Sequence, residues 1–247
     1  FHPARIVAGV DTTEAQACVE HIFSGIDAPK LYMNIPSAEM AKHAVNAFLA
    51  TSLSFIYDLS DMCEAYGADV LRVSEALKSE PRIGAAAYLD SSIGFSGATL
   101  GRDLAALLER AKEKGLTLPV IAGAQLKNEK RWRSALLALK KEIKDLSSAT
   151  IGFLGVAYKP GTSTIRDSLS LKLMRELLPL VKEVRAHDYL VPKEEVLAAG
   201  SYRFCSDPYE LARGSSSLLL MTSWPEYHKL DFKKMGRSMK KPKLFFD

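Results

Sequence analysis

The stretch Thr150-Ile151-Gly152-Phe153-Leu154-Gly155-Val156 runs into Ala157-Tyr158-Lys159-Pro160-Gly161-Thr162-Ser163-Thr164-Ile165-Arg166-Asp167-Ser168. From Ile151 to Val156 every residue is apolar or glycine. A strand buried on both faces, the inner strand of a parallel sheet, reads this way. A loop rich in hydroxyls follows, and Ser168 then opens a helix over 168–178. The alternation continues toward the C-terminus. Strands are expected at 181–186, 202–205, 217–222 and 244–246, with helices at 192–199 and 208–213. Alternating β and α with apolar strands predicts an α/β fold with a doubly wound parallel sheet. In such sheets a ligand sits outside the carboxyl ends of the strands, at a topological switch point. Residues 157–168 fall there.

Working outward toward the N-terminus, the pattern changes at Ser148. Residues 119–144 read as helical with one break near Lys127. Helices are expected at 70–77 and 100–114, with Gly115 ending the second. Between them, 82–103 is irregular and rich in Gly and Ser. Residues 37–66 contain neither Pro nor Gly. Val45, Phe48, Leu49, Ser52, Phe55, Ile56 and Leu59 form one broad stripe there, and Gly67 is the stop. A helix of that length spans about 45 Å, more than one small domain needs. It is expected to bridge two domains or to pack on a second copy. Before it, 5–10 and 30–35 read as strands and 13–23 as a helix capped by Asp11 or Thr12. That unit is the end of an α/β domain. Three regions follow: 1–36, 37–147 and 148–247. The first residue is Phe1, not Met, so the chain is read as starting within a longer protein.

Composition bounds the partners. Hydrophobic residues are 47% and charged residues 25%, which suits a packed core rather than disorder. A net charge of only +4 argues against a polyanion binder. The run of Lys233, Lys234, Arg237, Lys240, Lys241 and Lys243 reads as a solvated face without interleaved aromatics, so nucleic acid is not an expected partner. Cys18, Cys63 and Cys205 are far apart, which fits a reducing, cytoplasmic setting and no metal site. No apolar run reaches the roughly 18 residues of a membrane span, and no signal peptide opens the chain.

Three segments carry candidate chemistry. Lys42 and Asn46 are four apart and share a helix face. Alone, they suit an exposed lysine and an interhelical asparagine. GFSGATLGRD, at 94–103, is a Gly-rich loop entering a helix. Glycines let backbone amides approach a ligand and a helix N-terminus favours an anion, but a tight capped connection reads the same way. The segment 157–168 presents Lys159, three hydroxyls and Arg166 at the sheet edge, a set that suits a phosphate or diphosphate. It lacks the GxGxxG fingerprint. A solvated loop is the plain alternative.

In order and spacing, AEMAKHAVNAFLATSLSF, Arg82, GFSGATLGRD and GFLGVAYKPGTSTIRDS resemble the UDP-glucose/GDP-mannose dehydrogenase family. The similarity runs along the whole chain. It implies NAD-dependent oxidation of the C6 alcohol of a nucleotide sugar to a carboxylate, in polysaccharide or glycoconjugate precursor synthesis. It also implies an N-terminal Rossmann domain with its catalytic glutamate, a central helical dimerisation domain and a C-terminal nucleotide-sugar domain. Of the first, this chain would hold only the end. By this resemblance Lys42, Asn46 and Asp103 would sit at the sugar C6, holding water and steadying the oxyanion. Arg82 would reach the sugar of a neighbouring subunit. Asp90, Gly94, Phe95 and Ser96 would line the sugar and its nucleotide. Tyr158 and Lys159 would contact the nucleotide end, while Arg102 and Arg166 would face the cofactor phosphate. A homodimer through the 37–66 helix is implied.

The resemblance has departures. The family loop reads GFGGSCFPKD or GYGGSCFPKD. Here Ser96 stands for glycine, Thr99 for the cysteine, Gly101 for proline and Arg102 for lysine. The segment from Arg82 to Thr99 is one residue longer than the family pattern. The family cysteine makes a thiohemiacetal with the intermediate aldehyde. A hydroxyl needs a dedicated base to do this, and the loss could approach about a million-fold. Two functions therefore compete: an oxidoreductase divergent at its nucleophile, and a non-catalytic protein that binds nucleotide sugars and dimerises. His187-Asp188 stands where the family has Tyr-Asp-Pro. Trp132 and Trp224 read as packing residues and Cys63 as core.

Overall fold

The computed structural model describes residues 2–97 and 99–247. Phe1 and Ala98 lie outside the described residues. The chain opens with β1 (Ile6–Gly9), α1 (Thr13–Ile22) and β2 (Lys30–Met33), the two strands pairing in parallel. Thr12 caps α1 by accepting from the Ala15 N–H at 3.1 Å. Gly9 is required by close approach. A Cβ there would lie 2.8 Å from the Ile35 Cα, so the strand end abuts the next helix only because it has no side chain.

That helix, α2 (Ile35–Tyr66), begins two residues before the expected start. Asn34 is the reason: its side chain accepts from the Ser37 N–H at 3.0 Å, and Pro36 sits in the first turn, where an N–H would be orphaned anyway. Gly67 ends the helix in the left-handed region at φ 69°. The buried face carries Ala47, Ala50, Leu53, Ile56, Tyr57 and Cys63. Of the stripe expected from the sequence, Ile56 is buried, but Val45, Phe48 and Phe55 are exposed. The helix is apolar on more than one side, so periodicity alone could not choose the face that packs.

The segments α3 (Val70–Ser79), α4 (Leu100–Glu113), α5 (Pro119–Arg131) and α6 (Arg133–Glu142) follow, with α4 and α5 packed on α2. The helix break falls at Trp132 rather than near Lys127. Ala124 of α5 packs in one core with Leu53, Ile56 and Leu104, whereas Trp132, Leu136 and Leu139 pack in the core of the C-terminal sheet. The chain changes course where it changes cores.

The C-terminal region holds β3 (Thr150–Leu154), α7 (Leu169–Leu177), β4 (Glu183–His187), α8 (Lys193–Ala198), β5 (Arg203–Phe204), α9 (Pro208–Ala212), β6 (Ser217–Leu220), α10 (Phe232–Ser238) and β7 (Leu244–Phe246). The order is β5-β4-β3-β6-β7, all parallel, with β3 buried throughout its length. This is the expected doubly wound α/β sheet. The helix α10, capped by Asp231, was not expected, because Gly236 and its charges weaken the helical pattern. The strand order reverses between β3 and β6. There Gly155, at φ 97°, approaches Thr222 so closely that a Cβ would lie 2.4 Å from the Thr222 Cβ. The Thr222 hydroxyl donates to the Ala157 carbonyl at 2.7 Å, closing the base of the loop that follows β3.

Candidate active site

The site has two parts, joined by residues 94–103. The first is a cleft of about 580 Å³ between the central helices and the C-terminal sheet. Phe95, Ser96, Gly97, Gly101 and Arg102 line one side, with Asn128 beneath, and Arg166, Asp167 and Lys172 line the other. Arg166 sits at the switch point expected from the sheet topology. Three cations thus converge from α4, from the loop after β3 and from α7. That donor set suits a phosphate or diphosphate.

The loop forming one wall is held from several directions. Asn128 Oδ1 accepts from the Phe95 N–H at 2.7 Å, and its Nδ2 donates to the Phe95 carbonyl at 3.0 Å. The amide therefore pairs with the backbone as a neighbouring strand would. Ser96 Oγ donates to the Tyr158 carbonyl at 3.2 Å. Gly97 has φ 84°, and a Cβ there would meet the Tyr158 ring at 2.9 Å. Upstream, Ser92 bonds the Tyr57 hydroxyl at 2.9 Å, and Arg131 Nε donates to the Ser92 carbonyl at 3.1 Å. Burial pushes the Tyr57 hydroxyl up to about 12, so it stays a neutral hydrogen-bonding group at ordinary pH. Arg131 is anchored by Asp61 and by Ser60 Oγ. Lys127 pairs with Asp58 and Asp61 at 2.7 and 2.5 Å.

The second part is a polar cluster between α2 and α4. Asp103 is 1% exposed. Its Oδ2 accepts from Lys42 Nζ at 2.7 Å and from Asn46 Nδ2 at 2.5 Å. Burial by itself would raise its pKa. The hydrogen bonds from Lys42 and Asn46, with the charges of Lys42 and His43, outweigh that and hold it at about 2. Lys42 and Asn46 meet one acceptor because they stand one turn apart on α2. Asp103 occupies the first turn of α4, where a carboxylate also complements the helix dipole.

The structure brings Lys42, Asn46 and Asp103 together and gathers Phe95, Ser96, Arg102 and Arg166 around the cleft. Gly94 turns the loop at φ 133°, facing Asn128. Tyr158 packs under Gly97, with the Lys159 ammonium 5.5 Å from its ring centroid. Thr99 is exposed at the N-terminus of α4, and its side chain makes no capping bond. Arg82 and Asp90 lie outside the lining. Arg82 is exposed and pairs with Glu80 at 2.7 Å, and Asp90 takes Lys78 at 2.8 Å. Sequence reading missed His43, Asn128, Asp167 and Lys172. Asn128 had a signal, since asparagine is a poor choice inside a helix unless its side chain serves something else. Lys172 had none, being an ordinary helix lysine. Asp167, at φ 56°, takes a left-handed conformation that sequence does not announce. Among the described residues no group of His, Cys, Asp and Glu could hold a metal ion, and no helix is long and apolar enough to cross a membrane.

Comparison with known proteins agrees with this geometry. Residues 36–130 match the central domain of the UDP-glucose/GDP-mannose dehydrogenase family, and residues 152–247 match its UDP-binding domain. UDP-glucose 6-dehydrogenase TuaD of Bacillus subtilis is 33% identical over 239 residues, 96% of this chain and 52% of that protein. The UDP-glucose 6-dehydrogenase of Gallus gallus is 30% identical over 270 residues, 100% of this chain and 54% of that protein. A solved UDP-glucose dehydrogenase from Pyrobaculum islandicum superposes with TM-score 0.90 at 29% identity, covering 100% of this chain and 59% of that one. A UDP-D-ManNAc dehydrogenase from Pyrococcus horikoshii gives TM-score 0.84 at 25% identity over 97% of this chain and 55% of that one. The chain belongs to the UDP-glucose/GDP-mannose dehydrogenase family, whose members are NAD-dependent oxidoreductases acting on nucleotide sugars. It spans about half the length of the curated relatives it matches.

Proposed function

We propose that the protein carrying this chain binds a UDP- or GDP-sugar and oxidises its C6 alcohol with NAD⁺, with Thr99 stalling or slowing the second oxidation. The observation that carries this reading is the Lys42–Asn46–Asp103 cluster beside a cleft lined by Arg102, Arg166 and Lys172. The cleft's cations fit a diphosphate, and Arg102 and Arg166 are the residues here that would hold the cofactor's. NAD⁺ when bound supplies the hydride acceptor. Arg82, Asp90, Gly94, Phe95, Ser96, Tyr158 and Lys159 belong to the sugar and nucleotide side of this reading. Arg82 and Asp90 would serve a neighbouring subunit or a rearranged loop, because they stand away from the cleft.

The protein's own part is electrostatic. Lys42 places an ammonium where an alkoxide develops. Asp103 fixes that ammonium, Asn46 steadies the same carboxylate oxygen, and Oδ1 keeps a lone pair for a water. A carboxylate held at about 2 is a weak base near neutral pH. It orients water and Lys42 better than it takes a proton. Thr99 stands at the N-terminus of a 14-residue helix. A thiol there would ionise readily, since helix N-termini lower thiol pKa values. A hydroxyl gains no useful ionisation from the same place.

NADH stoichiometry tests the reading. One equivalent per sugar, or a slow second one, is expected, and Thr99→Cys should speed the second step. Rapid release of two equivalents by the wild type would sink it. The exposed Thr99 also favours a second reading, a nucleotide-sugar-binding protein without turnover. Calorimetric binding of a UDP-sugar with no NADH formed would select that one. In either case the exposed Phe48, Phe55 and Met62, spaced seven apart on α2, support pairing of two copies along this helix. Phe48→Glu with Phe55→Glu should then sediment as a monomer. The sparse, unpaired cysteines support a cytoplasmic setting.

A further inference from the structure

The residue after Lys42 has an anomaly that the proposed reaction does not use. His43 Nδ1 is buried and has no hydrogen-bond partner among the described residues, although the ring as a whole is 38% exposed. What it faces is Asp103 Oδ1, 3.7 Å away. That oxygen is the one left free by Lys42 and Asn46, which both donate to Oδ2. A cation, Arg102, also lies near Oδ1, with its Nε 3.5 Å away on a side chain 66% exposed. Both neighbours are just too distant for a hydrogen bond. A bridging water does not fit in a gap of 3.7 Å, because two hydrogen bonds through one water need a wider separation.

Electrostatics then selects one arrangement of the ring. A neutral imidazole carries a single N–H. With the proton on Nε2, the bare Nδ1 lone pair would face a carboxylate oxygen and both would be repelled. With the proton on Nδ1, an N–H faces that oxygen, and the exposed side of the ring leaves Nε2 to solvent. Closing the pair to ordinary hydrogen-bond length takes less than about 1 Å of movement. Bonds of this kind are often long in unliganded sites and tighten on binding.

We propose that His43 is a positioning residue of this site, held as the Nδ1–H tautomer by Asp103 and steering the Asp103 carboxylate so that Oδ2 stays on Lys42 and Asn46. Asp103 then sits over Lys42, His43 and Asn46, with a separate donor for each of its oxygens. The role in turnover rests on the reading above, whereas the tautomer does not.

The first measurement therefore needs no ligand. Two-bond nitrogen–proton NMR on the 247-residue chain, read on the alkaline plateau of the ring signals, identifies the protonated nitrogen of the neutral imidazole. His43 should carry its proton on Nδ1 in the wild type and lose that preference in Asp103→Leu. An Nε2–H tautomer in the wild type overturns the proposal, and so does an Nδ1–H tautomer that survives Asp103→Leu. Should Asp103→Leu not fold, the tautomer in the wild type still decides. The second measurement compares His43→Asn, whose amide N–H replaces Nδ1–H, with His43→Gln, whose amide N–H replaces Nε2–H. In the first oxidation, His43→Gln should lower kcat roughly ten- to a hundredfold with KM kept, and His43→Asn should recover most of it. Equal rates for the two variants overturn the positioning role. Failure of a UDP-sugar to bind at all would sink the proposed function and leave the tautomer result standing.

Discussion

Asp103 and Asp188 are both buried, and their partners set them apart. Asp188, at the carboxyl end of β4, is served mainly by the backbone. Its Oδ2 accepts from the N–H groups of Val156 and Ala157 at 2.7 and 3.0 Å and from the Trp224 indole at 3.4 Å. Its Oδ1 accepts from those of Leu190 and Val191 at 3.0 and 3.2 Å. Four of its five donors are backbone amides of the segments that follow β3 and β4. Asp103 is served by side chains, one of them a lysine 55% exposed, and among the described residues its Oδ1 accepts no hydrogen bond. A carboxylate saturated by amides ties loops together. A carboxylate held by movable side chains, with a lone pair free, can act on something that arrives.

Removing Asp188 would test this contrast hardest. Asp188→Ala strands the Val156, Ala157, Leu190 and Val191 amides and should cost about 3 kcal/mol or more, read by chemical denaturation. A loss under about 1 kcal/mol would mean that the loops hold without it. Asp103 should matter less to folding and more to pH. Its pKa is depressed, so its stabilisation is present above about 4 and is lost as pH falls through about 2. The size is about 1–2 kcal/mol once solvent screening at Lys42 is allowed for. Asp103→Asn should flatten the stability profile across that window and, at neutral pH, lose the same stabilisation of about 1–2 kcal/mol. A profile identical to the wild type's would break the assignment.

The loop between the two aspartates gives the smaller effects. Asn128→Ala removes both bonds to Phe95 and should cost about 1 kcal/mol, with a loss of UDP-sugar affinity measurable by calorimetry. Thr99→Ala should stay within about 0.5 kcal/mol of the wild type in a melting experiment, because its side chain caps nothing. A large change there would show that Thr99 has a structural task.

Much of the fold was legible because local rules and burial agreed. Most of the apolar run at 151–156 became the innermost strand, and Ser168 and Gly67 set helix ends through caps that depend on near neighbours. The long helix was legible in extent but not in orientation, since Phe48 and Ile56 are equally apolar and only packing against α4 and α5 buries one of them. For the site, Lys42 and Asn46 followed from helical spacing. Their meeting with Asp103, 57 residues beyond Asn46, followed only from the family resemblance. Motif order also suggested Arg82 and Asp90, and each makes a local salt bridge outside the cleft lining.

By itself, the sequence determined most of the element order, the parallel sheet, the switch-point loop and the absence of a thiol at position 99. These depend on residue type, period and neighbours within a few positions. Only the tertiary structure decided that Lys42 and Asn46 would share one oxygen of Asp103, that Asn128 would clamp Phe95, and that His43 would turn its buried nitrogen toward Asp103 Oδ1. Those contacts join helices far apart in the chain. Their chemistry depends on distances of about an ångström, set by how α2, α4 and α5 pack.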